Sequence, residues 1–252
     1  MNLIDEFPQA KAYTIHGNDQ AVLMIHGFTS TPNMFKPLAH KLSAKFGWEV
    51  RCPLLPGHGT ESKDLDSVSG QDWMNFVEGE FETLLQRFSK IHLVGLSLGA
   101  TLCAYLAMKY PNNVSSLTLL APAMFVRDSS SRFLLPFVKL LPKRILTKWI
   151  LHKKNLNTLE QISYHYYSAY TVTQFDLVCR KIRSTFQTNK PCLIFVPAND
   201  LTIHPKSASW FLAHTSHAKS KLIVLENSPH VVFLGNDNEI IFSEIESFLK
   251  SI

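Results

Sequence analysis

The sequence predicts an α/β domain: a mainly parallel sheet with helices on both faces and a helical cap insertion above the strand ends. Three observations carry this. Short, unbroken apolar runs such as Ala21–Ile25 recur along the chain, the pattern of parallel strands buried on both faces. They alternate with segments whose apolar residues return every three or four positions, the pattern of helices packed on a sheet. The 252 residues contain no Gly/Ser-rich linker, no block of five like charges and no internal repeat, so one domain with an insertion accounts for the length. Strands alternating with helices imply right-handed crossovers, and ligands of such sheets bind at the carboxyl ends of the strands.

Taken in order, residues 11–15 read as a short edge strand, and Ala21–Ile25 as a core strand ending at His26-Gly27-Phe28-Thr29-Ser30. Pro32 then opens a helix to about Phe46. A second core strand, 48–53, leads to the turn-rich stretch Pro56-Gly57-His58-Gly59, where a histidine flanked by glycines reads as a hydrogen-bonding structural residue. Residues 71–88 form an amphipathic helix with Trp73, Phe76, Val77, Phe81, Leu84 and Leu85 inward. Residues 91–110, IHLVGLSLGATLCAYLAMKY, give a strand that turns directly into a helix, and Val114–Leu120 is the next core strand. After the insertion come a helix at 171–186, a strand at 191–196, a helix at 205–213, the last strand Lys221–Leu225, and a closing helix at 238–252. In that last helix Ile240, Ile241, Ile245, Phe248 and Leu249 face inward.

The cap spans residues 123–170. Its first half is apolar and basic and is cut by Pro136 and Pro142, and Tyr164, Tyr166, Tyr167 and Tyr170 cluster near its end. Phe133, Leu134, Leu135, Phe137, Val138, Leu140, Ile145, Trp149 and Ile150 are too many apolar residues for a solvated excursion, so a cleft closed by the cap is expected. Residues 123–155 hold eight basic side chains against Asp128; this segment carries +7 in a chain of net +5, leaving the remainder at −2. So localised an excess excludes a nucleic-acid-binding face. It leaves open transient contact of the basic cap with an anionic membrane surface.

The amino-terminal MNLIDEFPQAK carries acids and a proline where a secretory signal needs basic residues and an apolar core, so a cytoplasmic protein is expected. Residues 91–108 lack charge over a membrane-spanning length, but their glycines, serine and histidine and their strand-like first half argue against a membrane helix. Cys52, Cys103, Cys179 and Cys192 lie far apart and read as reduced core residues. His204, His214 and His217 have no carboxylate or thiol partners in sequence and read as surface residues, so no metal is expected.

Chemistry concentrates at Gly95-Leu96-Ser97-Leu98-Gly99. A strand that reverses into a helix with no loop strains the residue at the apex, and side chains at Gly95 or Gly99 would collide with neighbouring backbone. Ser97 would stand at a helix amino terminus, where unpaired N–H groups favour negative charge. A serine nucleophile needs a base, and the base needs an acid to orient it. Asp200 follows one core strand and His230 the next, so both fall at the rim that carries Ser97. A helix-capping role for Asp200 stays open.

The stretches Val22-Leu23-Met24-Ile25-His26-Gly27, Pro56-Gly57-His58-Gly59, Gly95-Leu96-Ser97-Leu98-Gly99, 200–205 and Ser228-Pro229-His230 resemble the α/β-hydrolase superfamily, in particular serine hydrolases of the bacterial carboxylesterase and monoacylglycerol lipase type. The resemblance implies an α/β-hydrolase fold and a catalytic Ser97, His230 and Asp200. It implies an oxyanion hole from the backbone N–H of Phe28 and Leu98, and acyl transfer without cofactor or metal. This sequence departs from the family at Pro229, where glycine is frequent. Phe28, Met124, Phe125 and Leu201 are the expected lining of an apolar acyl slot. The small-molecule substrate is then an ester with a short to medium apolar acyl chain, extending to monoacylglycerols. The same residues would serve a thioesterase or acyltransferase, and the fold also hosts silent binding modules.

Overall fold

A computed structural model describes residues 8–127, 141–152, 162–164 and 166–252. Its main sheet has seven strands: β1 (Tyr13–Ile15), β2 (Ala21–Ile25), β3 (Glu49–Cys52), β4 (Ile91–Leu96), β5 (Val114–Leu120), β8 (Cys192–Pro197) and β9 (Lys221–Leu225), in the spatial order β1-β3-β2-β4-β5-β8-β9. Only β1, on the edge, runs antiparallel. β6 (Ile150–His152) and β7 (Tyr166–Ser168) form a separate antiparallel ribbon.

The unbroken apolar strands are explained by the two cores that they separate. In β2, Leu23 and Ile25 face one core while Val22 and Met24 face the other, as the two-residue period of a strand requires. Helices α1 (Lys36–Phe46) and α7 (Asn238–Ser251) cover the second face through Leu38, Leu42, Ile241 and Ile245. Helices α2 (Gly70–Leu85), α3 (Leu98–Lys109), α5 (Ala169–Thr185) and α6 (Lys206–Ala213) cover the first through Trp73, Leu102, Val178 and Phe211. Each such side chain taken from water contributes about 1.5 to 3 kcal/mol. α3 is buried nearly all round rather than along one stripe, because α2 and α5 pack on its outer side. It holds nine buried residues, which is why its apolar spacing is dense.

Two expectations change. Ile240 is exposed, because the inward stripe of α7 runs through Ile241, Ile245, Phe248 and Leu249 and leaves its neighbour on the solvent side. The described part of the cap holds one short helix, α4 (Lys143–Leu146), and the β6–β7 ribbon rather than helices alone. β-branched and aromatic residues at Ile150, Tyr166 and Tyr167 favour that ribbon. Phe133, Leu134, Leu135, Phe137, Val138 and Leu140 lie outside the described residues. All four cysteines are free and buried, and burial pushes the thiols of Cys52, Cys179 and Cys192 up to about 12. Among the described residues, no helix is long and apolar enough to cross a membrane.

Candidate active site

β4 passes into α3 through a single residue. Ser97 has φ 54° and ψ −114°, a backbone conformation that a residue bearing a side chain pays for, at about 1 to 3 kcal/mol. The neighbours hold it there: its N–H donates to Leu120 O at 2.9 Å, and its carbonyl accepts the Ala123 N–H at 3.3 Å and the Thr101 N–H at 3.2 Å. Only glycine fits at 95 and 99. A Cβ on Gly95 would stand 2.4 Å from the carbonyl carbon of Gly99, and one on Gly99 would stand 1.9 Å from Ile25 O.

Register brings the other candidates to the same rim. Leu96, Leu120, Phe195 and Ile223 are successive partners across β4, β5, β8 and β9. Ser97 follows the first of them directly, and the loops after the last two carry Asp200 and His230. His230 Nδ1 lies 2.7 Å from Asp200 Oδ2. The other carboxylate oxygen accepts the N–H of Thr202 at 2.7 Å and of Ile203 at 2.9 Å. Asp200 caps no helix, since α6 begins at Lys206 behind Pro205; one of its oxygens closes the turn that follows it while the other lies against His230. Arg127 donates to the Asp200 carbonyl, and Arg127 N–H donates to Thr202 O at 3.0 Å, tying the acid loop to the end of β5. Among the described residues Ser97 Oγ forms no hydrogen bond, so the structure joins His230 to Asp200 but not Ser97 to His230.

The His230 loop is braced by a residue that the sequence does not mark. Asp237 is buried and accepts from Asn227 N–H and Ser228 Oγ, both at 2.8 Å. Its only sequence signal is its place before the last helix, which reads as an ordinary helix start. With the loop clamped on that side, Pro229 in place of glycine still leaves His230 on Asp200.

After β2 the chain makes a four-residue turn closed by Ser30 N–H to Gly27 O at 3.1 Å. Thr29, its third residue, has φ 64° while Phe28 is not left-handed, which makes this a type II turn with threonine where glycine is usual. Thr29 N–H donates to His58 Nε2 at 3.0 Å, and Tyr164 N–H to Thr29 O at 3.0 Å. Among the described residues neither the Phe28 N–H nor the Leu98 N–H meets an acceptor. Gly27 touches the nucleophile candidate: a Cβ there would lie 3.4 Å from Ser97 Cβ.

Of the expected slot residues, the Phe28 ring packs against Tyr167, Phe175, Trp73 and His58, with centroids 5.2 to 6.2 Å apart. Met124 is buried, and Phe125 is partly buried with its N–H donating to Ser207 Oγ at 2.9 Å. Leu201 is 82% exposed and is not brought into this cluster.

Three buried histidines hold neutral imidazoles. Burial lowers His58 and His92 to about 4, and burial together with neighbouring His58 holds His26 well below its ordinary value. The unfolded chain, with ordinary values near 6.5, binds more protons between pH 6.5 and 4. Stability is thus fully present above pH 6.5 and is lost as pH falls toward 4. His58 and His92 should each remove about 2 kcal/mol by pH 5. Urea unfolding at pH 7.5 and pH 5 checks this, and equal midpoints would contradict it.

Comparison with known proteins agrees with the architecture. Residues 20–162 match the model of the alpha/beta hydrolase fold family. A thermostable monoacylglycerol lipase of a Bacillus species is 30% identical over 251 residues, covering 96% of this chain and 95% of the relative. A carboxylesterase of Bacillus subtilis is 22% identical over 253 residues, covering 96% and 97%. A solved structure from a study of two metagenome-derived lipolytic enzymes, LipS and LipT, has a TM-score of 0.86 at 22% identity, covering 98% of this chain and 99% of that one. At that identity the structural likeness speaks for the fold, and the family match and the Bacillus lipase speak for kinship. The chain belongs to the alpha/beta hydrolase family.

Proposed function

We propose that the protein hydrolyses carboxylic esters through an acyl-enzyme on Ser97, with His230 as base and Asp200 as its orienting acid. The observation that carries the reading is the 2.7 Å contact of His230 Nδ1 with a buried carboxylate, at the strand ends where a strained serine opens a helix. With its proton on Nδ1 facing Asp200, His230 presents a bare Nε2. Serine and imidazole close on each other when the ester enters, since such contacts are often long in the empty enzyme. His230 takes the Ser97 proton as Oγ attacks the carbonyl carbon, and the Phe28 and Leu98 N–H groups receive the oxyanion. His230 then returns the proton to the leaving alcohol. A water, deprotonated by the same imidazole, releases the acid and restores the serine. No step uses a metal or organic cofactor.

The substrate class follows from the surroundings. Phe28 packs with Tyr167 and Phe175 in an apolar cluster, and each methylene buried against it would contribute about 0.8 kcal/mol. Uncharged esters of medium-chain acids suit it, and monoacylglycerols fall in this class. The relatives named monoacylglycerol lipase and carboxylesterase support the same reading. A panel of 4-nitrophenyl esters should give kcat/KM rising several-fold from acetate to octanoate, and a steady decline from acetate would overturn the slot. Exposed Ile145, Trp149 and Ile150 stand beside Lys143, Arg144 and Lys148, a composition suited to an anionic lipid surface. Repeating the panel with anionic vesicles reads that contact: the rate on the least soluble esters should rise, and indifference to anionic lipid removes it.

A further inference from the structure

The Gly27–Ser30 turn is held from outside itself. Threonine in its third position is better suited to a type I turn, in which that residue has φ near −90°. Passing from the observed type II form to type I rotates the Phe28–Thr29 peptide by about half a turn. The Thr29 N–H would leave His58, and the Phe28 carbonyl oxygen would swing toward the lone pair that had accepted it. His58 selects between the two forms because its tautomer is fixed: Nδ1 lies 3.1 Å from Pro56 O and donates to it, so Nε2 is bare. The ring has no freedom to turn. It is buried, in edge contact with His26 at 5.0 Å and stacked near Tyr164 at 6.3 Å. His26 anchors the other side, with Nε2 accepting Leu55 N–H at 3.0 Å and Nδ1 2.9 Å from Gly27 O. Tyr164 closes the frame: its hydroxyl donates to Gly57 O at 2.9 Å and accepts Thr60 N–H at 3.0 Å, while its N–H holds Thr29 O.

We propose that His58 is a positioning residue for ester cleavage: by accepting the Thr29 N–H it holds the Gly27–Ser30 turn in its observed form, and so fixes the position of the Phe28 N–H, at the corner of that turn beside Ser97, for the oxyanion. This rests on the reading of Ser97 as nucleophile and Phe28 as oxyanion donor. His58 touches no reacting atom, so its loss acts on the transition state through the loop.

The test compares His58→Leu, which removes the acceptor, with the double variant Thr29→Gly/His58→Leu, in which glycine takes φ 64° without strain and no longer needs the clamp. Rates are expressed per site titrated with a fluorophosphonate. His58→Leu should lower kcat on 4-nitrophenyl octanoate ten- to a hundredfold with KM within twofold. Affinity for an alkyl boronic acid, whose tetrahedral adduct occupies the oxyanion position, should fall in parallel. The double variant should recover to within threefold of Thr29→Gly alone. A merely structural role would reduce the number of titratable sites and leave kcat per site and boronate affinity unchanged, which overturns the proposal. So does a double variant as slow as His58→Leu. Should His58→Leu not fold, the double variant against Thr29→Gly alone decides: a ratio near one supports the proposal, and a tenfold fall overturns it. Failure of the underlying reading looks different, since the wild-type protein would then not be labelled on Ser97.

Discussion

Ser97→Ala should lower kcat on 4-nitrophenyl octanoate by roughly four to six orders of magnitude, with the fold intact. Alanine removes the hydroxyl but keeps Cβ, so the backbone at φ 54° stays as strained as before and unfolding should change little. Ser97→Gly separates the two contributions. It loses the same activity, yet it releases the strain of a left-handed residue and should raise stability by about 1 to 2 kcal/mol. The elbow is then a place where the chain gives up stability to hold a hydroxyl at a helix amino terminus. On the proposed mechanism His230→Ala should cost nearly as much as Ser97→Ala, because a nucleophile and its base act as one unit and their losses do not add. Mass spectrometry after fluorophosphonate treatment should find the label on Ser97 in the wild-type protein and nowhere in Ser97→Ala. A variant retaining more than one per cent of the rate, or carrying the label on another serine, would remove Ser97 from the mechanism.

The strands and the elbow were legible because their causes are local. A strand buried on both faces must be apolar at every position, and a turn without a loop must have glycine where backbones touch, so Ala21–Ile25 and the Gly95/Gly99 pair announce themselves. The order of Asp200 and His230 along the chain was also readable, although that the two meet is a matter of tertiary register. What the sequence hid depends on contacts between distant residues. Nothing in Gly27-Phe28-Thr29-Ser30 marks Thr29 as left-handed, because the hydrogen bonds that hold it come from His58 and from Tyr164 in the cap. Asp237 was hidden in the same way, its role set by Asn227 and Ser228 ahead of it. In the cap, apolar and basic residues without clean periodicity gave composition but not architecture, and helices were expected where β6 and β7 pair. The last helix shows the limit of pattern counting: Ile240 and Ile241 are alike in sequence, and only the position of the stripe through Ile241, Ile245, Phe248 and Leu249 decides that Ile241 is buried and Ile240 exposed.

Gly99→Ala should be the most destabilising single methyl group that can be added near the site. The new carbon would lie 1.9 Å from Ile25 O, 2.6 Å from Ile25 C and 2.7 Å from His26 O, and all three are backbone atoms of a central strand and its end. A rotamer change relieves none of these contacts, so α3 must move away from β2 by more than about 1 Å, and overpacking on that scale costs at least about 3 kcal/mol. For a chain of this size that is a fall in melting temperature of roughly 6 to 12 °C. The same displacement opens the space between the Leu98 N–H, which travels with the helix, and the Phe28 N–H, which stays with the β2 loop. Whatever protein still folds should therefore turn over slowly, with reduced kcat rather than raised KM. Gly79→Ala is the control of opposite sign: it lies inside α2 with nothing within 4 Å of the added carbon, so alanine's better helix propensity should stabilise by about 0.5 to 1 kcal/mol. Equal melting temperatures for the two variants would mean that the helix and strand do not touch at Gly99. The tight passage from β4 into α3 at Ser97 would then have to be abandoned.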